Sequence, residues 1–190
     1  STSSSYTLTF PGTDPSADKF LKTDGSGNLS FADAGGSAGA NAFLAILGSN
    51  QSVSDNTWTL IQYDTESYDT GADYTNSSTF KYTVPTNGYY RFYGNVAGAT
   101  DGSYGINFTT IGLYKNGSLI YQVFSDTHQS SHAADVATVS FDITLSASAT
   151  DYFQVYGKVN GTGSGHTIQQ FYSDSSRRSW WGGYQIAWVP

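Results

Sequence analysis

The chain has no cysteine, no methionine, one glutamate (Glu66), four prolines and only 12% charged residues in its 190. Without cysteine there is neither a disulfide framework nor a thiolate metal site. A secreted animal domain of this size commonly carries disulfides, so their absence points to a bacterial or viral source. The absence of any methionine, initiator included, leads us to expect a processed or excised piece of something longer. Long amphipathic helices favour Glu, Lys and Leu, and with one Glu the chain is poor in them, so helices should be scarce. No apolar run approaches the roughly 18 residues needed to span a bilayer. No basic start followed by an apolar core marks a signal peptide. A net charge of −7 and a pI near 4.5 argue against a phosphate-backbone partner.

What is abundant is equally directive. Gly numbers 21, Tyr 15 and Phe 11, with Ser and Thr throughout. Turn formers, β-branched residues and aromatics in this mixture predict an all-β chain. Its length allows one sizeable core, or a core plus a tail.

Residues 1–39 differ in character from the rest of the chain. Tyr6-Thr7-Leu8-Thr9-Phe10 alternates as a short strand and stops at Pro11-Gly12. Phe20 to Phe31 reads as two tiny strands about an Asp24-Gly25 turn, and Gly35-Gly36-Ser37-Ala38-Gly39 reads as a flexible linker. So short a segment cannot bury a core by itself. From Ala42 to the end, strand signals recur at the spacing of a sandwich. Tyr82 and Val84 share a strand face before Pro85 ends the strand. Asn87-Gly88 is expected to supply the positive-φ pair of a short turn. Beyond it Tyr90 and Phe92 fall on one face, with Tyr89, Arg91 and Tyr93 on the other. Asn116-Gly117, between Phe108–Lys115 and Ser118–Phe124, is the strongest hairpin signal. Val139, Phe141, Ile143 and Leu145 alternate strictly with polar residues, as a half-buried strand does. Asp151–Val159 and Trp180–Val189 instead carry aromatics on both faces. In the last strand Trp180, Tyr184, Ile186 and Trp188 share a face and are expected in the core. Two-sided aromatic strands imply that oligomerisation covers what a monomer would expose.

Several of these motifs together resemble a known family. Tyr82-Thr83-x-Pro85-x-Asn87-Gly88-x-Tyr90-x-Phe92 is similar to the central signature of the complement C-one-q globular head, which is grouped with tumour necrosis factor. Ala42-Phe43-x-Ala45, Leu113-Tyr114-Lys115-Asn116-Gly117, Asp151-Tyr152 and Trp181-Gly182-Gly183-Tyr184 resemble further motifs of that family, in the same order. Thr150 stands where the family has a glycine before its aspartate. The resemblance implies an antiparallel jelly-roll sandwich of about ten strands over residues 40–190, assembled as a homotrimer. Tyr152, Tyr156 and Trp181 are the trimer-interface candidates. Separately, Phe20-Leu21-Lys22-Thr23-Asp24-Gly25-Ser26-Gly27-Asn28-Leu29-Ser30-Phe31 resembles a recurrent segment of bacteriophage fibre and virion structural proteins, where it precedes a C-terminal head. Residues 1–39 are on that basis a stalk-end and linker segment that meets other virion proteins.

The residues offer little to catalysis. No Gly-x-Ser-x-Gly elbow is present, and fourteen aspartates make an accidental carboxylate pair uninformative. His128 and His132 lie in a loop-like stretch, and on a strand they would sit about 13 Å apart, too far for one ion. No metal or other cofactor is therefore expected, although Asp126 and Asp135 are conceivable calcium ligands because related trimeric heads bind calcium near their axis. The resemblances imply a non-enzymatic virion head that attaches to a host-surface receptor or glycan. The alternative is a trimerisation or capsid-decoration module with no ligand of its own. Contacts are expected in the loops, with Tyr104, His128, Tyr172 and Arg178 as the receptor-contact candidates. Nucleic acid and membrane insertion are not expected, and the location implied is the virion surface.

Overall fold

The computed structural model describes residues 7, 9–12, 19–32, 41–100, 105–126, 136–161, 167–168 and 179–188. The chain divides into two compact units, Ser1–Gly39 and Ala40–Pro190. In the first unit β1 (Phe20–Thr23) and β2 (Leu29–Ala32) pair antiparallel, with Phe20 opposite Ala32 and Thr23 opposite Leu29. Asp24 organises the turn between them. Its Oδ1 accepts the Ser26 N–H at 2.7 Å and the Asn28 N–H at 3.2 Å, while Oδ2 accepts the Asn28 amide at 2.7 Å. The bond from the Asn28 side chain, then that from Ser26, hold the Asp24 carboxyl below its ordinary range. Phe10, Phe20, Leu21 and Phe31 are all exposed. A two-stranded hairpin with no buried face is marginal on its own.

The second unit is a sandwich of antiparallel strands with no helix among the described residues. One sheet runs β11 (Ser118–Asp126), β10 (Ile106–Lys115), β13 (Tyr152–Gly161), β8 (Lys81–Thr83), β7 (Tyr74–Thr75), with β5 (Thr59–Leu60) also on β13. The other runs β4 (Gln51–Ser52), β14 (Thr167–Ile168), β9 (Gly88–Ala99), β15 (Trp180–Trp188), β3 (Ala42–Ile46), β6 (Thr65–Asp69), with β12 (Val136–Ala147) on the free side of β9. Strand β9 is the spine of that sheet. It pairs with β12 from Gly88–Ala147 to Ala99–Val136, and with β15 from Gly88–Trp188 to Asn95–Trp180.

Alternation along these strands selects the core. Tyr90, Phe92 and Val96 of β9, Val139 and Phe141 of β12, and Phe153, Val155 and Val159 of β13 all point inward and are buried. The aromatics interlock there. Phe43 stacks on Tyr82 at 4.6 Å, Trp181 meets Phe43 edge-on at 4.6 Å, and Phe153 lies 4.4 Å from Phe92. Each such fully buried ring stabilises the fold by roughly 2–3 kcal/mol through burial, plus about 0.5–1.5 kcal/mol from ring geometry.

The two turns expected from sequence differ in outcome. Asn116 and Gly117 have φ of +51° and +80° and join β10 to β11, as a two-residue hairpin requires. Asn87-Gly88 is no hairpin, because β8 and β9 lie in opposite sheets. The chain crosses between layers there, and Gly88, already in β9, is not among the positive-φ residues. Glycine is needed for space instead. A Cβ on Gly88 would sit 2.5 Å from the Ala187 carbonyl oxygen and 2.7 Å from Gln185 Nε2.

Candidate interaction surface

The outer face of the β9 sheet follows from the same alternation. With Tyr90 and Phe92 turned in, Tyr89, Arg91 and Tyr93 turn out. Register then sets Tyr184 beside Arg91 and Trp180 beside Asn95 on β15, and Asp142 beside Tyr93 on β12. Tyr93 sits between Trp180 at 5.8 Å and Tyr184 at 6.2 Å, edge-to-face with both. Partial burial, helped by a hydrogen bond with Tyr68, pushes the Tyr93 hydroxyl up to about 12. Tyr68 on β6 is 44% exposed and Tyr89 47%.

One ion pair crosses this aromatic field. Arg91 Nε donates to Asp142 Oδ1 at 2.8 Å, Nη2 donates to Asp142 Oδ2, and Nη1 donates to the Tyr184 hydroxyl at 3.2 Å. The bidentate bond from Arg91 holds the Asp142 carboxyl below its ordinary range, and Asp142 together with Tyr184 raises the guanidinium. Arg91, Tyr93, Ser140, Asp142, Trp180 and Tyr184 line a shallow depression of about 370 Å³. Its one carboxylate is thus ionised and pinned. A carboxylate held in this way by two guanidinium bonds is not free to act as a general base.

The structure corrects the reading of the last strand. Trp181, a trimer-interface candidate from sequence, is 0% exposed among Phe43, Tyr74 and Phe92, with no surface left for a neighbouring copy. The core face of β15 is the opposite of the one the aromatic run implies. Trp180 and Tyr184 are half-buried on the outside, and Ile186 is 51% exposed at the bulge between Gln185 and Ala187. The number of aromatics on a face is the wrong guide here, because Gly94 and Gly183 make the room that Trp181 and Phe92 fill inside.

Tyr152 and Tyr156 lie on the other sheet, on the outer face of β13. Tyr156 packs on Tyr114 at 4.1 Å, and the Lys81 ammonium stands 5.0 Å over the Tyr152 ring. The structure therefore does not bring the three interface candidates together. Tyr104, His128, Tyr172 and Arg178, with His132 and Asp135, lie outside the described residues. Asp126 ends β11, and among the described residues no group of three His, Cys, Asp or Glu is arranged to hold a metal.

Comparisons with solved structures place the architecture. A tumour necrosis factor, Eiger, from S. frugiperda superposes with TM-score 0.56 at 12% identity, over 80% of this chain and 95% of that one. The globular domain of zebrafish complement 1qA protein gives 0.54 at 11% identity, over 78% and 99%. Murine APRIL at pH 5.0 gives 0.55 at 10% identity, over 77% and 99%. The fold is the jelly roll of the tumour-necrosis-factor and complement heads. No family model and no curated protein sequence matches the chain. At these identities the likeness extends to the fold and no further.

Sequence reasoning misses the Arg91–Asp142 pair. Alternation along β9 puts Tyr89, Arg91 and Tyr93 on one face, but nothing local says that β12 aligns Asp142 with them from 51 residues away.

Proposed function

We propose that residues 40–190 form a homotrimeric, non-enzymatic binding head that closes on itself through the outer face of the β9 sheet. The observation that carries this reading is the aromatic array Tyr68, Tyr89, Tyr93, Trp180 and Tyr184, whose one cation among the described residues, Arg91, is already paired in the protomer. Covering that face buries aromatic area without stranding a charge. Residues 1–39 are the end of a stalk, and the whole is a virion fibre head that attaches to a host-surface receptor or glycan. Supporting this are the fibre-like segment Phe20–Phe31, which folds as an exposed hairpin, and the jelly-roll head that comes after it.

Light scattering coupled to size exclusion tests the assembly. The expected mass is about three times 20.4 kDa. Tyr68→Asp with Tyr89→Asp, both about half exposed in the protomer, should shift it toward the monomer while leaving the far-UV spectrum intact. A single 20.4 kDa species for the unaltered chain would overturn the trimer. Attachment is tested by binding to a panel of bacterial cells, compared with a variant carrying alanine at Tyr104, His128, Tyr172 and Arg178. Equal binding by both removes those loops from the contact, and no binding by either favours the scaffold reading.

A further inference from the structure

The outer face of the opposite sheet carries a second feature that the assembly does not use. Register across β11, β10 and β13 lines up Phe124, Thr110 and Lys158 in one row, and Gln122, Gly112 and Tyr156 in the next. Trp58, just before β5, leans over the second row. A Cβ on Gly112 would stand 3.0 Å from Trp58 Cη2 and Cζ3, so only glycine lets the indole lie against the sheet there. The Lys158 ammonium is held 5.1 Å from the Trp58 ring and 5.4 Å from the Phe108 ring. Phe108, Thr110, Gln122, Phe124 and Lys158 enclose a groove of about 230 Å³, with Phe124 66% exposed along one wall.

We propose that this groove binds a sugar residue carrying a carboxylate, within an acidic surface polysaccharide. The exposed Phe124 ring, with the half-buried Phe108 ring across the groove, presents an apolar face suited to the C–H face of a pyranose. Thr110 and Gln122 offer donors and acceptors to hydroxyls. The volume lies below the roughly 300–1,000 Å³ of common small-molecule sites, which suits one ring of a longer chain. Charge selects the acidic class. Among the described residues Lys158 is the only charged one lining the groove, and no carboxylate among them pairs with it. Its ammonium is fixed by two rings, so an incoming carboxylate meets a cation that is already placed. The ligand class rests on the reading of the head as an attachment module, while the groove shares no residue with the receptor-contact candidates Tyr104, His128, Tyr172 and Arg178.

The test uses the full chain, titrated with oligogalacturonate and with a neutral galactose oligosaccharide of equal length. Indole fluorescence and calorimetry are the readouts. The expected result is saturable binding of the acidic oligosaccharide, at least tenfold tighter than the neutral one and weakened by salt. Lys158→Gln, which keeps the side-chain stem over the rings, and Phe124→Ala should each reduce affinity at least tenfold, with melting temperatures unchanged. Equal affinity for acidic and neutral oligosaccharides would overturn the ligand class. Undiminished binding by both variants, with loss in the quadruple loop variant, would overturn the site and leave attachment standing. No binding of either oligosaccharide by the unaltered chain overturns this proposal, and the cell-binding comparison then decides attachment separately.

Discussion

Replacing Thr150 by glycine is expected to stabilise the protein. Ser148 to Asp151 form the turn from β12 to β13, closed by the Asp151 N–H on the Ser148 carbonyl at 3.0 Å. Thr150 holds the third position with φ +75°, the conformation that type II turns reserve for glycine. Its own N–H donates to the Val84 carbonyl at 2.8 Å, so the backbone is fixed and cannot relax away. The side chain is exposed, and little packing is lost with it. A left-handed conformation costs an L-residue roughly 1–2 kcal/mol, with β-branched residues the most disfavoured. Glycine removes that strain but frees the unfolded chain by about 0.4–1 kcal/mol. The net gain is about 1 kcal/mol, or roughly 2–4 °C in melting temperature for a domain of this size. Calorimetry on the unaltered chain, Thr150→Gly and Thr150→Ala measures it. Alanine relieves only the branching and should gain less. A glycine variant that melts at or below the unaltered chain would refute the strain argument.

Gly88→Val should lower stability by about 2–3 kcal/mol in urea unfolding, because the new Cβ meets the Ala187 backbone oxygen rather than a movable side chain. A midpoint shift too small to resolve would falsify the close-approach reading. Burial, then the neighbouring Asp69 charge, raises the Asp73 carboxyl to about 6, and its Oδ2 is buried without a partner. The folded state therefore binds this proton more tightly than the unfolded one, so the stability involved is full below about pH 4 and lost as pH rises through about 6. The rise amounts to at most about 3 kcal/mol, and with solvent reaching the group the expected loss is about 1 kcal/mol. Asp73→Asn should flatten that limb of the stability profile, and an unchanged profile would refute the assignment. Asp151 behaves oppositely. Burial alone would raise it, but Lys115, the Ser148 N–H and the Asn116 amide bring it to about 2, so its contribution is present above about pH 4 and lost as pH falls toward 2. Asp151→Asn should be measurably less stable at pH 7 and indistinguishable at pH 2. Removing residues 1–39 should leave a cooperatively melting head of the same oligomeric state, and loss of cooperativity would tie that segment to the core.

The fold is legible in the sequence because its signals are local. Strict alternation in β9 and β12 names their inward residues correctly, and Asn116-Gly117 announces both the hairpin and its φ values. Thr150 stands out in sequence as a replaced glycine, and its φ shows what the replacement does. What local pattern does not provide is the side of a strand rich in aromatics on both faces. In β15, glycines on the partner strand and on β15 itself decide that Trp181 goes in and Trp180 out, and those contacts come from residues about 90 positions away. Likewise Asn87-Gly88 has the composition of a hairpin turn, yet the strands around it belong to different layers. The groove at Trp58, Phe108, Phe124 and Lys158 draws on residues from separate strands far apart in the chain, and no single stretch announces it.

Arg91 and Lys158, on opposite outer faces, bear on which face closes in the proposed trimer and which stays open. Arg91 is neutralised inside the protomer by both oxygens of Asp142, so a second copy laid on the β9 sheet desolvates a pair that is already made. Lys158 has only ring faces as partners among the described residues. Laying another copy over it would bury an uncompensated ammonium at a cost of several kcal/mol, unless that copy supplied an anion. Tyr152 and Tyr156 share their strand's outer face with Lys158, so the proposed trimer leaves them outside its interface. On this argument the β9 face is the one that self-association can cover at little electrostatic cost. In the proposed trimer the β10–β13 face is the one left open to the proposed acidic ligand.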